Sequence, residues 1–511
     1  MQPGAWDDAK TAGDEWPALR STATVTHTPK PRARPATPLH AAVKEGNAVA
    51  LARLLSEGGL DVEQTDADGA RALHVAATVG SAAAVRALLT AGAKPCVAHA
   101  KDGLHPLHCA AKYGHTDVVQ LLCDAGALAS AASGTKSPPL TVAAGAGHVH
   151  TVRALLAAGA KVNAAERFSK RTALHVAAEA GHVACVCALL EAGADARAVT
   201  QVGATPLSLA ACAGALDAVT ALLRAGCSVE CSAPSGCAPL TGAAAAGHVP
   251  VVLALFAAGA NVNAQSGSNK RTPLMAASSA GHVHVVRVLL AHGAQTRVVG
   301  PPFQALHEAA TGGHADVAVA LLAAGAAVDE PDAWRRHTPL HLAIISNRCT
   351  VARLLVDADA ALDARDDAGS TPLLLAALHG HADIVDMLCT ARGASPNTVD
   401  DEGRSALYHA ARLRRTEVIA ALLRAHADVH MHSNEGASAL HAAVVVDGAS
   451  ACVQLLLTAG AQAGDASASG DTPLVCAIAQ RNEDVVRALL AAGGAIDASC
   501  LPRHAAWWAG G

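Results

Sequence analysis

Aromatic residues are nearly missing from this chain. There are 3 Phe, 2 Tyr and 5 Trp among 511 residues, 2% in all. An aromatic-rich β-sandwich is excluded as the main architecture. Charge is also sparse: Asp, Glu, Lys and Arg make up 16%, below the roughly 25% of an ordinary soluble protein. Neither sign dominates, with 38 basic and 43 acidic residues, so a globally basic nucleic-acid binder is excluded. Fourteen Cys fall short of disulfide-scaffold density. Residues 1–36 are polar and contain Pro, with no apolar core after a basic start. No secretory signal is expected there. The thiols are expected reduced and the protein intracellular, in the cytoplasm or nucleus.

No long hydrophobic run is present either. Residues 231–269 carry no Asp, Glu, Lys or Arg, and a membrane helix needs about 20 consecutive apolar residues. Yet Pro234, Pro239, Gly242, Gly247, Pro250 and Gly259 punctuate the stretch, and its most apolar part is Val251 to Ala258. Membrane insertion is not expected.

What the chain does have is Ala, Leu, Val and Gly in a strict order. Hydrophobic residues reach 51%, so the core must be built of small, closely packed side chains. Thr-Pro-Leu-His occurs at 37–40 and 338–341, and degenerate copies share its Leu. That Leu falls at 39, 73, 107, 140, 174, 207, 240, 274, 306, 340, 373, 407, 440 and 474. The spacings are 32 to 34 residues across fourteen copies. In seven copies Gly follows the Leu by seven residues and precedes His115, His148, His182, His248, His282, His314 or His381. A Leu-Leu pair and an Ala-Gly-Ala variant come next, as at Leu155-Leu156 before Gly159.

Thr before Pro is a helix start, the hydroxyl capping free N–H groups and Pro lacking the N–H that would be orphaned. Leu and Ala-Ala form the packed side of a short first helix, and Gly stops it. Val-Val and Leu-Leu share a face of a second helix. The following x-Val-Asn/Asp-Ala reads as a short extended hairpin. One such unit cannot bury its apolar face, and stacked neighbours can.

The full phrase, T-P-L-H-x-A-A-x-x-G-H-x-x-V-V-x-x-L-L-x-A-G-A-x-V-N, resembles the ankyrin repeat over roughly residues 37–497. The resemblance implies an all-α ankyrin-repeat solenoid, with two helices and a β-hairpin finger per repeat and the first helices lining a concave face. It divides the chain into a disordered arm at 1–36, an array of about fourteen repeats at 37–497 and a short tail at 498–511. Lys44 and Glu45 in the first repeat, and Gln480 to Asp484 in the last, suit water-facing end repeats, so the array looks complete. The tail's Trp507-Trp508 pair has no place in the repeat.

Chemistry is scarce. Seven His occupy the Thr-Pro-Leu-His slot (His40, His74, His108, His175, His307, His341 and His441), and seven more follow Gly. In the family such His residues hydrogen-bond backbone between neighbours. Cys227, Cys231 and Cys237 match no paired zinc knuckle. Cys185 and Cys187 point to different helix faces, and Cys109, Cys212 and Cys476 read as small core residues. No phosphate-binding, dinucleotide, zinc-protease or nucleophile-elbow motif is present. No catalytic residue, metal site or cofactor is expected.

Function should therefore lie in departures from the consensus. Three fingers are one residue longer than most and lack Gly two residues before the Thr. They carry Phe168, Lys170 and Arg171; Lys270 and Arg271; and Trp334, Arg335 and Arg336. The ninth finger is short, with Phe303 after Pro301-Pro302. Trp and Arg are enriched in interface hot spots. Arg412, Arg414 and Arg415 in the twelfth repeat could extend a basic strip toward the tenth, suited to acidic peptide segments. Nucleic acid fits poorly, because stacking aromatics are too few. Asn163 and Asn263 occupy the hairpin slot, where the family resemblance implies that an asparaginyl hydroxylase can act.

The expected function is non-catalytic protein binding by a monomeric scaffold, similar to the long arrays of scaffold proteins. The alternative is a substrate-recognition adaptor or regulatory subunit of an enzyme complex, such as a ubiquitin ligase or protein phosphatase. The tail segment Leu501 to His504 is too short for a SOCS-box domain, which weighs against the ligase form.

Overall fold

Each repeat begins where its sequence says it should. In the eighth repeat, Thr272 is extended and its hydroxyl accepts from the Met275 N–H, Pro273 holds the first helical turn, and the helix runs Pro273–Ala280. Gly281 ends it at φ +78°, a left-handed conformation in which a Cβ is strained. The second helix, Val283–Ala291, buries Val285, Val286 and Leu289 on one face. This pair of helices recurs fourteen times in the computed structural model. The structure describes residues 37–57, 60–101, 103–130, 137–230, 237–267, 269–299, 303–391 and 394–494. The arm at 1–36, Cys231, Pro301-Pro302 and the tail with Trp507-Trp508 lie outside them.

First helices pack on first helices and second on second, and the two helices of each repeat pack on each other. Every consensus Leu and the Ala-Ala after it, where present, lie at or near zero exposure and join one continuous core. Methyl-sized side chains between helices permit that close approach. The fingers are narrower than a hairpin ladder. Among the described residues, five carry a single antiparallel bridge, such as Ala165 to Thr172 and Ser266 to Arg271. Among the described residues, no helix is long and apolar enough to cross a membrane.

Histidines stitch the stack in both directions. In the Thr-Pro-Leu-His slot, His175 Nδ1 accepts from the Thr172 N–H, 3.2 Å, and Nε2 donates to the Ala204 carbonyl of the next repeat, 3.2 Å. His74 does the same with Arg71 and Leu104. The His after Gly reaches backward instead. His314 Nε2 donates to Ser279 O at 2.9 Å, and its ring covers Gly281. A Cβ at that Gly would overlap the ring, which explains the Gly-His pairing across repeats.

Candidate functional site

The finger tips depart from the repeat in their backbone as well as their side chains. Most fingers turn on a positive-φ Gly two residues before the first helix cap, as at Gly103, Gly203, Gly369 and Gly403. The fifth, eighth and tenth fingers place Lys170, Lys270 and Arg336 there, at φ 55°, 51° and 57°. A left-handed non-glycine residue costs about 1–2 kcal/mol. Such strain persists where something other than stability is selected. Lys270→Gly and Arg336→Gly are expected to raise stability by about 1 kcal/mol each, read as a higher urea midpoint. An unchanged or lower midpoint would remove the argument from strain.

These fingers do not use all their charges alike. Lys170, Lys270, Arg335 and Arg336 are exposed. Arg171 and Arg271 instead turn inward and are half-buried. Arg171 pairs with Glu179, and Arg271 Nη2 lies 3.2 Å from Glu308 Oε1. Arg271 Nε is also shielded from solvent with no hydrogen-bond partner. These two arginines, read from the sequence as open contacts, are part of the wall.

The ninth and tenth fingers meet. The Phe303 and Trp334 rings stand edge to face, centroids 4.8 Å apart, a favoured aromatic geometry. Asp332 sets the tip that carries Trp334. It is buried, and its Oδ1 accepts from the Trp334 N–H at 2.8 Å and the Arg335 N–H at 2.7 Å. Trp334 nevertheless remains 66% exposed. With Arg271 and Glu308, the ring pair walls a cavity of about 210 Å³ whose lining includes Met275 and Ser279 of the eighth first helix. That volume is below the ~300–1,000 Å³ of small-molecule sites. It has room for one large side chain.

The other sequence candidates lie elsewhere. Phe168 is 65% exposed on the fifth finger, five repeats from Trp334, with Arg167 over its ring at 6.0 Å. Arg412, Arg414 and Arg415 sit at the far end of a first helix from its finger, two repeats from Trp334. Arg414 takes the left-handed position of the consensus Gly, φ 56°, and donates to Asp447 O at 2.9 Å. Arg415 lies over Gly380, where other repeats place His. Both therefore stand in for Gly-His. The structure does not gather them with the tenth-finger arginines. Asn163 Oδ1 accepts from the Asp195 N–H and Asn263 Oδ1 from the Gln295 N–H, each at 2.8 Å, so both asparagines link successive fingers.

Sequence reading passed over Met275, Ser279 and Glu308, which sit at ordinary first-helix positions. It also passed over a larger hollow of about 660 Å³ near Tyr408, Glu435 and Asp471. Cys212 is exposed and not the small core residue its sequence position suggests, whereas Cys109 and Cys476 are partly buried against the core. Among the described residues, no cluster of three or more His, Cys, Asp or Glu could hold a metal ion.

Comparison with known proteins agrees with this architecture. A family model described as ankyrin repeats matches in overlapping segments that together span residues 23–166 and 174–500. The neurogenic locus notch homolog protein 1 of Xenopus tropicalis is 39% identical over 132 residues, 26% of this chain and 5% of that protein. The B-cell lymphoma 3 protein homolog of Mus musculus is 32% identical over 170 residues, 32% of this chain and 38% of that one. The chain thus spans only a small part of these relatives. The human ASB11 ankyrin repeat domain aligns over 44% of this chain and 98% of its own, at 31% identity and a TM-score of 0.40. With a pair of helices recurring fourteen times among the described residues and family matches along nearly all its length, the chain belongs to the ankyrin-repeat family.

Proposed function

We propose that this protein is a non-catalytic binding scaffold whose principal site is the cavity between the eighth, ninth and tenth fingers. The observation that carries this reading is the Phe303–Trp334 pair over that cavity, with a Trp left 66% exposed in a chain so poor in aromatics. Exposed aromatics beside arginines are the usual anchors of an interface. Lys270 lies between the lining residues Asn269 and Arg271 in sequence, Arg335 and Arg336 follow the lining Trp334, and all three are exposed. Glu308 is neutralised by Arg271. The rim is therefore net positive, and it favours a partner segment with one large apolar side chain flanked by carboxylates. An acceptor on that segment would also satisfy the buried Arg271 Nε.

Affinity capture followed by mass spectrometry tests this. The variant carries Phe303→Ala, Trp334→Ala, Arg335→Ala and Arg336→Ala, with circular dichroism confirming an intact fold. Partners held by the parent chain are expected to fall by about tenfold or more, the size of a single hot-spot loss. Equal capture by both proteins would move the site away from these fingers.

A further inference from the structure

Cys212 closes the first helix of the sixth repeat, Pro206–Cys212. Cys237 stands just before the first helix of the seventh, Pro239–Ala245. Both residues are exposed. Twenty-five residues apart in sequence, they converge on Gly242. A Cβ built on that Gly would overlap the Cys212 sulfur and stand 3.6 Å from the Cys237 sulfur. The missing side chain is thus the space in which the two thiols face each other. The Cys212 backbone is held in place, since its carbonyl accepts from His248 Nε2 at 3.1 Å.

The two thiols are not equivalent. The Cys237 thiol hydrogen-bonds the Cys212 sulfur and holds the Cys212 pKa below the usual thiol range, against burial and the nearby Glu179 carboxylate. The same contact, with burial, pushes Cys237 up, and Arg271 opposes this only weakly. A sulfur biased toward thiolate beside a second thiol is the arrangement of an attacking and a resolving cysteine.

We infer that Cys212 and Cys237 form a thiol pair that hydroperoxides oxidise to a disulfide, clipping the sixth repeat to the finger end of the seventh. The Cys212 thiolate attacks a peroxide oxygen, so an S–O bond forms, the O–O bond breaks and hydroxide leaves. The Cys237 sulfur then attacks the Cys212 sulfenic acid. The S–S bond forms, the S–O bond breaks, and the departing hydroxide takes the Cys237 proton as water. The dithiol loses two electrons, and one hydrogen peroxide becomes two waters.

The test treats the full chain with hydrogen peroxide, blocks free thiols and digests with trypsin. Cleavage after Arg197, Arg224 and Lys270 puts the two cysteines on peptides 198–224 and 225–270. The expected product is these peptides joined, with fragmentation placing the bond at Cys237 rather than Cys227 or Cys231. In Cys237→Ser, dimedone should trap a sulfenic acid at Cys212 that the parent chain does not accumulate. Gly242→Ala, whose methyl intrudes on the Cys212 sulfur, should slow the crosslink severalfold. On the unoxidised parent chain, iodoacetamide should label Cys212 faster than Cys476. Absence of the joined peptides, or labelling of Cys212 no faster than Cys476, overturns the inference.

Discussion

Acidification from pH 7 to pH 4 is expected to unfold the array, beginning below about pH 6.5. The cause lies in the buried histidines of the Thr-Pro-Leu-His slot. Burial pushes His74 and His341 down to about 4. It also lowers His175, His307 and His441. Each neutral ring uses Nδ1 as an acceptor from its cap N–H, as at Thr338 N–H to His341 Nδ1, 3.1 Å. A second proton would set donor against donor at a buried ring. The unfolded chain, in contrast, binds that proton near 6.5. Between 6.5 and 4 the unfolded state therefore holds more protons, and stability falls with pH. The contribution is fully present above 6.5 and lost as pH drops toward the folded value. For His74 and His341 the loss approaches about 3 kcal/mol each, against roughly 5–15 kcal/mol for a whole domain. Urea unfolding at pH 7, 6, 5 and 4.5 should show the midpoint dropping progressively. His74→Gln and His341→Gln should lower stability at pH 7 and flatten its pH dependence. A midpoint constant from pH 7 to 5 would mean these rings do not carry the coupling.

Leu340→Ala has the second large expected effect. Leu340 is fully buried in the first helix of the tenth repeat, Pro339–Ile345. Truncation leaves a cavity between helices that close-packed Ala neighbours cannot collapse to fill. The expected cost is about 3–5 kcal/mol. A repeat contacts only its neighbours, so the loss should stay local. Hydrogen exchange should show the ninth to eleventh repeats opening first, with the first six little changed. Because Phe303 and Trp334 stand on these repeats, the site should lose partner binding while most of the array remains folded. Uniform deprotection of all repeats, or a loss below about 1 kcal/mol, would contradict nearest-neighbour stacking.

The fold was legible because one phrase repeats with little drift. Leu, Ala-Ala, Gly-His and Leu-Leu each serve one structural purpose, and repetition averages away the local exceptions. Even the substituted Gly of the fifth, eighth and tenth fingers could be seen in sequence, since the Gly slot was defined by its neighbours. The site was only half legible. Phe303 and Trp334 announced themselves by rarity, but their ring contact depends on the path of two unlike fingers. Whether Arg271 is open or paired depends on Glu308 in the next repeat, at a position where many side chains are tolerated. Cys212 looked like core because its helix is apolar. Its exposure follows from being the last residue, past the buried face. Periodicity assigns a residue to an element, and side-chain partners across elements need the coordinates.

The most direct measurement of the central claim is a selection of random displayed peptides on the immobilised full chain, repeated on Phe303→Ala and Trp334→Ala. The account predicts enrichment of sequences with one large apolar residue beside Asp or Glu, and binding weakened about tenfold or more by either substitution. Enriched peptides without carboxylates, or peptides that bind both variants as well as the parent chain, would contradict a binding site between the eighth and tenth fingers.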